Sequence, residues 1–320
     1  MTPPHARRRL LAPVVALLLA ATALTACTGS ESPDAPPEAS IARTQDRPGR
    51  VVDLTVSSPA VGADVPVRLL LPTSYDADAD REWPVLLLLH GCCSDFRSWT
   101  RQTDVERLTA GSDVIVAMPD GGRAGFYSDW LDGPQWETFH TGELVEVLQE
   151  EYAASEDWAV AGLSMGGLGA LGYAARHPDL FSAAASFSGI ADTLHNRDRP
   201  ANYQALMSSE GDTDPAAVWG DPIADVGVWR AHNPTDLAAD LVGTEVFVST
   251  GNGYPGPLDT STGVDLLELA LWQENRSLRR ALRRAGVEAT FDFYGPGTHS
   301  WPYWERELGR AWPMLSAALG

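Results

Sequence analysis

Gly162-Leu163-Ser164-Met165-Gly166 is the stretch that decides the fold. It reads Gly-x-Ser-x-Gly and lies between two contrasting patterns. Trp158-Ala159-Val160-Ala161 before it is a short apolar run that suits a buried strand. Gly167, Leu168, Ala170, Leu171, Ala174 and Ala175 after it are small and apolar at helical spacing. A strand, a sharp turn carrying serine and then a helix form a nucleophile elbow. The glycines answer a steric need, since side chains flanking a strained serine would meet the neighbouring strand and helix.

Such an elbow predicts an α/β class fold, the α/β-hydrolase fold, with a mostly parallel central sheet flanked by helices. Strands are expected near 51–57, 65–71, 85–89, 114–117, 158–161, 183–187, 246–249 and 290–293. Helices are expected near 103–109, 141–152, 165–176, 264–285 and 301–319. The segment 193–234 reads as an irregular insertion near the active-site mouth. Its Trp219 and Trp229 either shape an acyl pocket or belong to the core.

Ser164 needs a base that follows it in the chain, with an acid in between. His5, His90 and His140 precede it. His177 stands just before Pro178 at the end of the elbow helix, and His195 and His232 lie in polar, proline-punctuated stretches. His299 remains. The alternating segment Glu288–Tyr294 and the loop Gly295-Pro296-Gly297-Thr298 would present it at the end of the last strand. The acid should follow the strand Glu245–Ser249, where Asp259, Asp265, Glu268 and Glu274 are all candidates and spacing does not choose among them.

An oxyanion hole needs two main-chain N–H groups aimed at one point. Met165 supplies one. The apolar run Pro84–Leu89 ends in His90-Gly91-Cys92-Cys93, and Cys92 is the expected second donor. A disulfide between adjacent cysteines would be strained. No spacing of ligands for a metal is visible, and no cofactor is expected.

Beyond these motifs the chain resembles the mycolyltransferase (antigen 85-like) group of the esterase D-like α/β-hydrolases, from about Val51 to Gly320. Those are secreted acyltransferases of mycobacterial and related cell walls, and some bind fibronectin. The resemblance is carried by Met118–Gly122, Phe126–Trp130, Trp136–Phe139, Gly162–Gly167, Val218–Gly220, Asn233–Thr235, Gly251–Gly253, Gly297–Trp301 and Tyr303-Trp304. It implies acyl chemistry, and it implies Glu268 as the acid. The group carries a glutamate on a leucine-rich helix with an asparagine seven positions later, and Leu267-Glu268 followed by Asn275 is similar. In trehalose-using members the oxyanion loop resembles Asp-Gly-Leu-Arg, whose Asp and Arg touch the sugar. His90 and Cys93 stand there instead, which removes two directional sugar contacts. Trp301, after the histidine, is retained. His90, Cys93 and Trp301 are therefore the expected substrate-contacting residues.

The implied function is a serine esterase or acyltransferase working through Ser164, His299 and Glu268 on an acyl ester, a lipid or glycolipid included. The alternatives are a trehalose mycolyltransferase, a thioester hydrolase, or a catalytically silent surface-binding protein.

At the N-terminus Arg7-Arg8-Arg9 precedes the apolar run Leu10–Leu24, which is short for a membrane span and suits a signal segment. Leu24-Thr25-Ala26-Cys27 resembles a bacterial lipobox, with cleavage before Cys27 and a lipid on its thiol; ordinary secretion is the alternative. Residues 1–26 are read as a lipoprotein signal peptide, 27–49 as a flexible tether rich in Ser, Pro, Glu, Asp and Ala, and 50–320 as the catalytic domain. The expected location is extracytoplasmic, on the cell membrane through the anchor. The formal charge of −20 opposes nucleic-acid binding and adsorption to anionic lipid.

Overall fold

The computed structural model describes residues 38–77, 80–196 and 198–320. The expected signal segment and Cys27 lie outside them. One compact unit covers 38–320. Its strands are β1 (Ser40–Asp46), β2 (Val51–Ser58), β3 (Ala63–Leu70), β4 (Trp83–Leu89), β5 (Ile115–Pro119), β6 (Ala154–Leu163), β7 (Phe181–Phe187), β8 (Glu245–Gly251) and β9 (Ala289–Gly295). They form a single sheet in the order β1-β2-β3-β5-β4-β6-β7-β8-β9. β1, β2 and β3 are antiparallel, β3 meets β5 antiparallel, and β4 to β9 run parallel.

Helices cover both faces, which is why the central strands are apolar without alternation. On β4, Val85, Leu87 and Leu89 enter one core while Leu86 and Leu88 enter the other. The helices are α1 (Ser98–Gln102), α2 (Val105–Leu108), α3 (Trp136–Thr138), α4 (Leu144–Tyr152), α5 (Met165–Arg176), α6 (Arg199–Gly211), α7 (Pro215–Trp219), α8 (Val226–Ala231), α9 (Leu266–Ala285) and α10 (Trp301–Ala318). Leu144 and Leu148 of α4, Leu168 and Leu171 of α5 and Leu271, Leu278 and Leu282 of α9 pack on one face. Trp99, Val105, Trp304, Leu308 and Leu315 pack on the other. No described helix is long and apolar enough to cross a membrane.

Two expectations need correction. The expected tether does not extend to 49, because residues 40–46 are strand β1, paired with β2 along its length. Only Ile41 of this edge strand has a large apolar side chain against the core, so composition hides it. The segment 193–234, expected to be irregular, contains α6, α7 and α8. Asp214 caps α7 through its side chain, with Pro215 in the first turn. Trp219 and Trp229 are wholly buried against each other and Phe126, and they belong to the core.

Candidate active site

The site gathers at the carboxyl ends of the parallel strands, where loops from several strands converge. β6 ends at Leu163 and α5 begins at Met165, so Ser164 alone makes the turn. Its φ of 54° and ψ of −118° lie where side-chain-bearing residues are rarely found. The turn is held by Ser164 N–H donating to Phe187 O at 3.0 Å and by Ile190 N–H donating to Ser164 O at 3.1 Å. The flanking glycines are required by contact. A Cβ on Gly162 would stand 2.2 Å from Gly166 O, and one on Gly166 would stand 2.6 Å from His90 O.

His299 reaches the turn from the loop between β9 and α10. Its Nε2 is 3.0 Å from Ser164 Oγ, and its Nδ1 is 2.8 Å from Glu268 Oε2. With the ring neutral, Nδ1–H donates to the carboxylate and leaves Nε2 as acceptor for the serine hydroxyl. Glu268 is fully buried in the first turn of α9. Its other oxygen, Oε1, accepts from Ser188 Oγ at 2.8 Å, Thr250 Oγ1 at 3.1 Å and Gly251 N–H at 2.7 Å. A buried carboxylate so furnished stays in place.

The three other carboxylate candidates form no hydrogen bond to the His299 ring. Asp259 accepts from Tyr303 Oη, Gly256 N–H and Thr298 Oγ1. Glu274 binds Tyr203 Oη and the N–H groups of Ala191 and Asp192. Asp265 is a supporting group that spacing did not single out. Oδ1 caps α9 at the Leu267 and Glu268 N–H groups, and Oδ2 accepts the N–H of His299 at 2.9 Å.

Met165 is the first residue of α5, where a main-chain N–H has no partner within the helix. Cys92 follows β4 and lines the cleft beside Ser164. Among the described residues, neither N–H donates to any group. Two free donors beside Ser164 can hold a developing oxyanion. The cleft measures about 330 Å³ and is lined by Gly91, Cys92, Ser94, Leu163, Ser300, Trp301 and Trp304 besides Ser164 and His299. Trp304 stands edge-on to the His299 ring at 4.8 Å, and Trp301 packs edge-on to Trp304 and Trp99. A larger cleft of about 840 Å³ around Arg50 and Tyr75 contains none of these residues.

Of the three residues expected to contact substrate, Trp301 lines this cleft, and His90 and Cys93 do not. His90 is 1% exposed, and both ring nitrogens are engaged. Nδ1 lies 2.8 Å from Gly91 O, and Nε2 accepts the Gly121 N–H at 3.0 Å. Burial pushes the ring below its ordinary pKa, against the pull of Asp120, and holds it neutral. It ties the β4 loop to the β5 loop. Cys93 does not line the cleft; its thiol lies 2.7 Å from the Cys92 thiol and donates to Glu210 Oε2 at 3.2 Å, at the end of α6. Burial pushes this thiol up, so it stays protonated as a donor. Cys92 and Cys93 are free cysteines.

The "Esterase" family model matches residues 58–315. The diacylglycerol acyltransferase/mycolyltransferase Ag85A of Mycobacterium leprae is 33% identical, with 86% of this chain and 85% of that protein covered. The esterase Rv1288 of Mycobacterium tuberculosis is 35% identical over 71% of this chain and 51% of its own length. The crystal structure of Mycobacterium tuberculosis MPT51 (FbpC1) superposes with a TM-score of 0.71 at 28% identity, covering 83% of this chain and 98% of that one. Sequence and fold agree, and the chain belongs to the esterase family of α/β-hydrolases as an enzyme of the serine hydrolase or acyltransferase kind.

Proposed function

We propose that this protein is an exported, lipid-anchored serine esterase or acyltransferase that forms an acyl-enzyme on Ser164. The observation that carries the reading is the unbroken hydrogen-bond chain from Ser164 Oγ through His299 to Glu268. Ser164 Oγ attacks the ester carbonyl as His299 Nε2 takes its proton. Glu268 holds the ring's tautomer and offsets the imidazolium charge. The N–H groups of Cys92 and Met165 stabilise the tetrahedral oxyanion. The intermediate collapses, His299 returns the proton to the leaving alcohol, and the acyl-enzyme passes its acyl group to water or another hydroxyl.

The cleft of about 330 Å³ lies at the small end of ligand sites, which run to about 1,000 Å³, and favours a short acyl or aryl group within it. The mycolyltransferase names of the relatives favour a second reading, transfer to a sugar such as trehalose. His90 supports that reading poorly, because its buried ring has no nitrogen left for a sugar. The lipobox at Cys27 supports export and anchoring.

The test is hydrolysis of p-nitrophenyl esters of increasing chain length by residues 38–320, beside Ser164→Ala, with and without trehalose. Turnover that vanishes in the variant and ignores trehalose supports the esterase. Acyl-trehalose product supports the transferase. Folded protein without turnover on any ester sinks both. Intact mass of the full chain from membranes, beside Cys27→Ala, tests the anchor.

A further inference from the structure

The chain from Tyr254 to Leu267 exposes five of the eight large apolar side chains that stand open to solvent among the described residues. Tyr254, Leu258, Val264, Leu266 and Leu267 are between 39% and 74% exposed. The stretch that carries them is hydrogen-bonded to the loop that carries His299. Gly297 N–H donates to Tyr254 O, Asp265 N–H to Gly253 O, Thr298 Oγ1 to Asp259 and His299 N–H to Asp265. Asp259 and Asp265, the only charged residues in the stretch, are occupied by these and other internal hydrogen bonds. What faces outward is apolar or uncharged, beside the active-site mouth. A grouped apolar surface of this kind marks a contact with something other than water.

The sheet register places the start of the domain on the same side. β5 runs parallel to β4 and ends at Pro119, paired with Val67 midway along antiparallel β3, so β3 begins beyond the carboxyl end of β5. The β2–β3 hairpin turns between Ser58 and Ala63, and Ser57 pairs with Ser40. Ser40, the first residue of β1, therefore lies at the edge of the sheet to which Ser164 and His299 belong. Seven strand spacings separate β1 from β8, about 34 Å. The thirteen residues from Cys27 to Ser40 can span at most about 45 Å. That reach is long enough for a lipid on Cys27 to enter a bilayer facing the active-site end of the sheet.

We infer that the Tyr254–Leu267 rim seats on the surface of a lipid bilayer and turns the active-site mouth toward it. The orientation rests on the proposed anchor at Cys27 and the proposed chemistry at Ser164; the seat itself can be tested without either. The occupant is a neutral or zwitterionic interface entered by apolar side chains, because a chain of formal charge −20 is repelled by anionic headgroups. Contact of this kind survives high salt.

The experiment is flotation of residues 38–320, which lack Cys27, with phosphatidylcholine vesicles at low and high salt and without ester. The protein is compared with Leu258→Gln/Val264→Gln/Leu266→Gln and with Val242→Gln. Val242 is equally exposed but precedes β8 at the opposite edge of the sheet. Wild type and Val242→Gln should float at both salt levels, and the triple variant at least about tenfold less. Hydrolysis of a soluble ester should be equal in all three. Absence of wild-type flotation, equal flotation of the triple variant, or flotation with anionic vesicles alone overturns the seat. So does loss of self-association, rather than of flotation, in the triple variant. Flotation without ester turnover would sink the esterase reading alone, and lipidated Cys27 without flotation would sink the seat alone.

Discussion

Glu268 and His299 are joined at 2.8 Å through Oε2 and Nδ1, while Oε1 of the same carboxylate is fixed by Ser188, Thr250 and Gly251. One oxygen is spent on holding position and the other on the ring. Glu268→Gln keeps the shape of the side chain but loses the negative charge and the fixed acceptor. By analogy with the acid of serine proteases, kcat on a soluble ester should fall by about 10²- to 10⁴-fold with an unchanged circular dichroism spectrum. A kcat within about tenfold of wild type would mean that another group orients His299.

Asp265 serves the helix and the histidine with separate oxygens. Asp265→Ala should cost about 1 kcal/mol through the lost N-cap, with a kcat roughly tenfold lower. Asn caps helices as well as Asp, so Asp265→Asn should recover thermal stability. Its amide has only one oxygen, which cannot serve both α9 and His299, so kcat should not recover in parallel. If the two recover together, Asp265 acts on His299 only through the stability of α9.

Ser164 and His299 were legible in the sequence because each depends on a local pattern, a strand and a turn of known shape. Glu268 was not legible from spacing, since Asp259, Asp265 and Glu274 carry the same charge in the same stretch and only packing decides which one faces the ring; the family resemblance pointed to it. His90 misled for a similar reason. Its partner, the Gly121 N–H, lies thirty-one positions away on another loop. β1 escaped because an edge strand with one partly buried large apolar side chain has no readable period. Asp214 and Pro215 carry a capping signal for α7 that the irregular reading of 193–234 passed over, whereas α6, with few apolar residues facing the core, is fixed by Tyr203, Met207 and Arg199 after folding.

Glu274 gives the stability a pH dependence of predictable sign. Burial raises its pKa from 4.5 to about 7, although Tyr203, Arg199 and the Ala191 and Asp192 N–H groups pull the other way. The folded state then holds a proton that the unfolded chain releases. The contribution is fully present below about pH 4.5 and is lost as the pH rises through 7, about 3 kcal/mol in all. Denaturant midpoints at pH 5 and pH 8 should differ more for wild type than for Glu274→Gln. A larger difference in the variant, or the same one, would show that the carboxylate is ionised across this range.

Glu210 closes α6 onto the oxyanion loop. Its Oε2 accepts from the Cys93 thiol at 3.2 Å and from Arg123 at 3.0 Å, and its main-chain oxygen accepts Arg123 Nε at 3.0 Å. Arg123 O in turn accepts the N–H of Cys93, a residue held at a φ of 65°. Cys92, the proposed oxyanion donor, is covalently joined to this anchored residue. Arg123 is largely exposed and Glu210 is half-buried, so their solvent-facing ion pair is worth at most about 1 kcal/mol. Truncating Glu210 should leave the melting temperature nearly unchanged yet loosen the aim of the Cys92 N–H. Glu210→Ala should therefore lower kcat about tenfold with little change in KM, the signature of a contact felt in the transition state. Glu210→Gln can still accept from Cys93 and should recover most of the loss. A fall in melting temperature that tracks the fall in kcat, with no rescue by Gln, would make Glu210 a structural residue only.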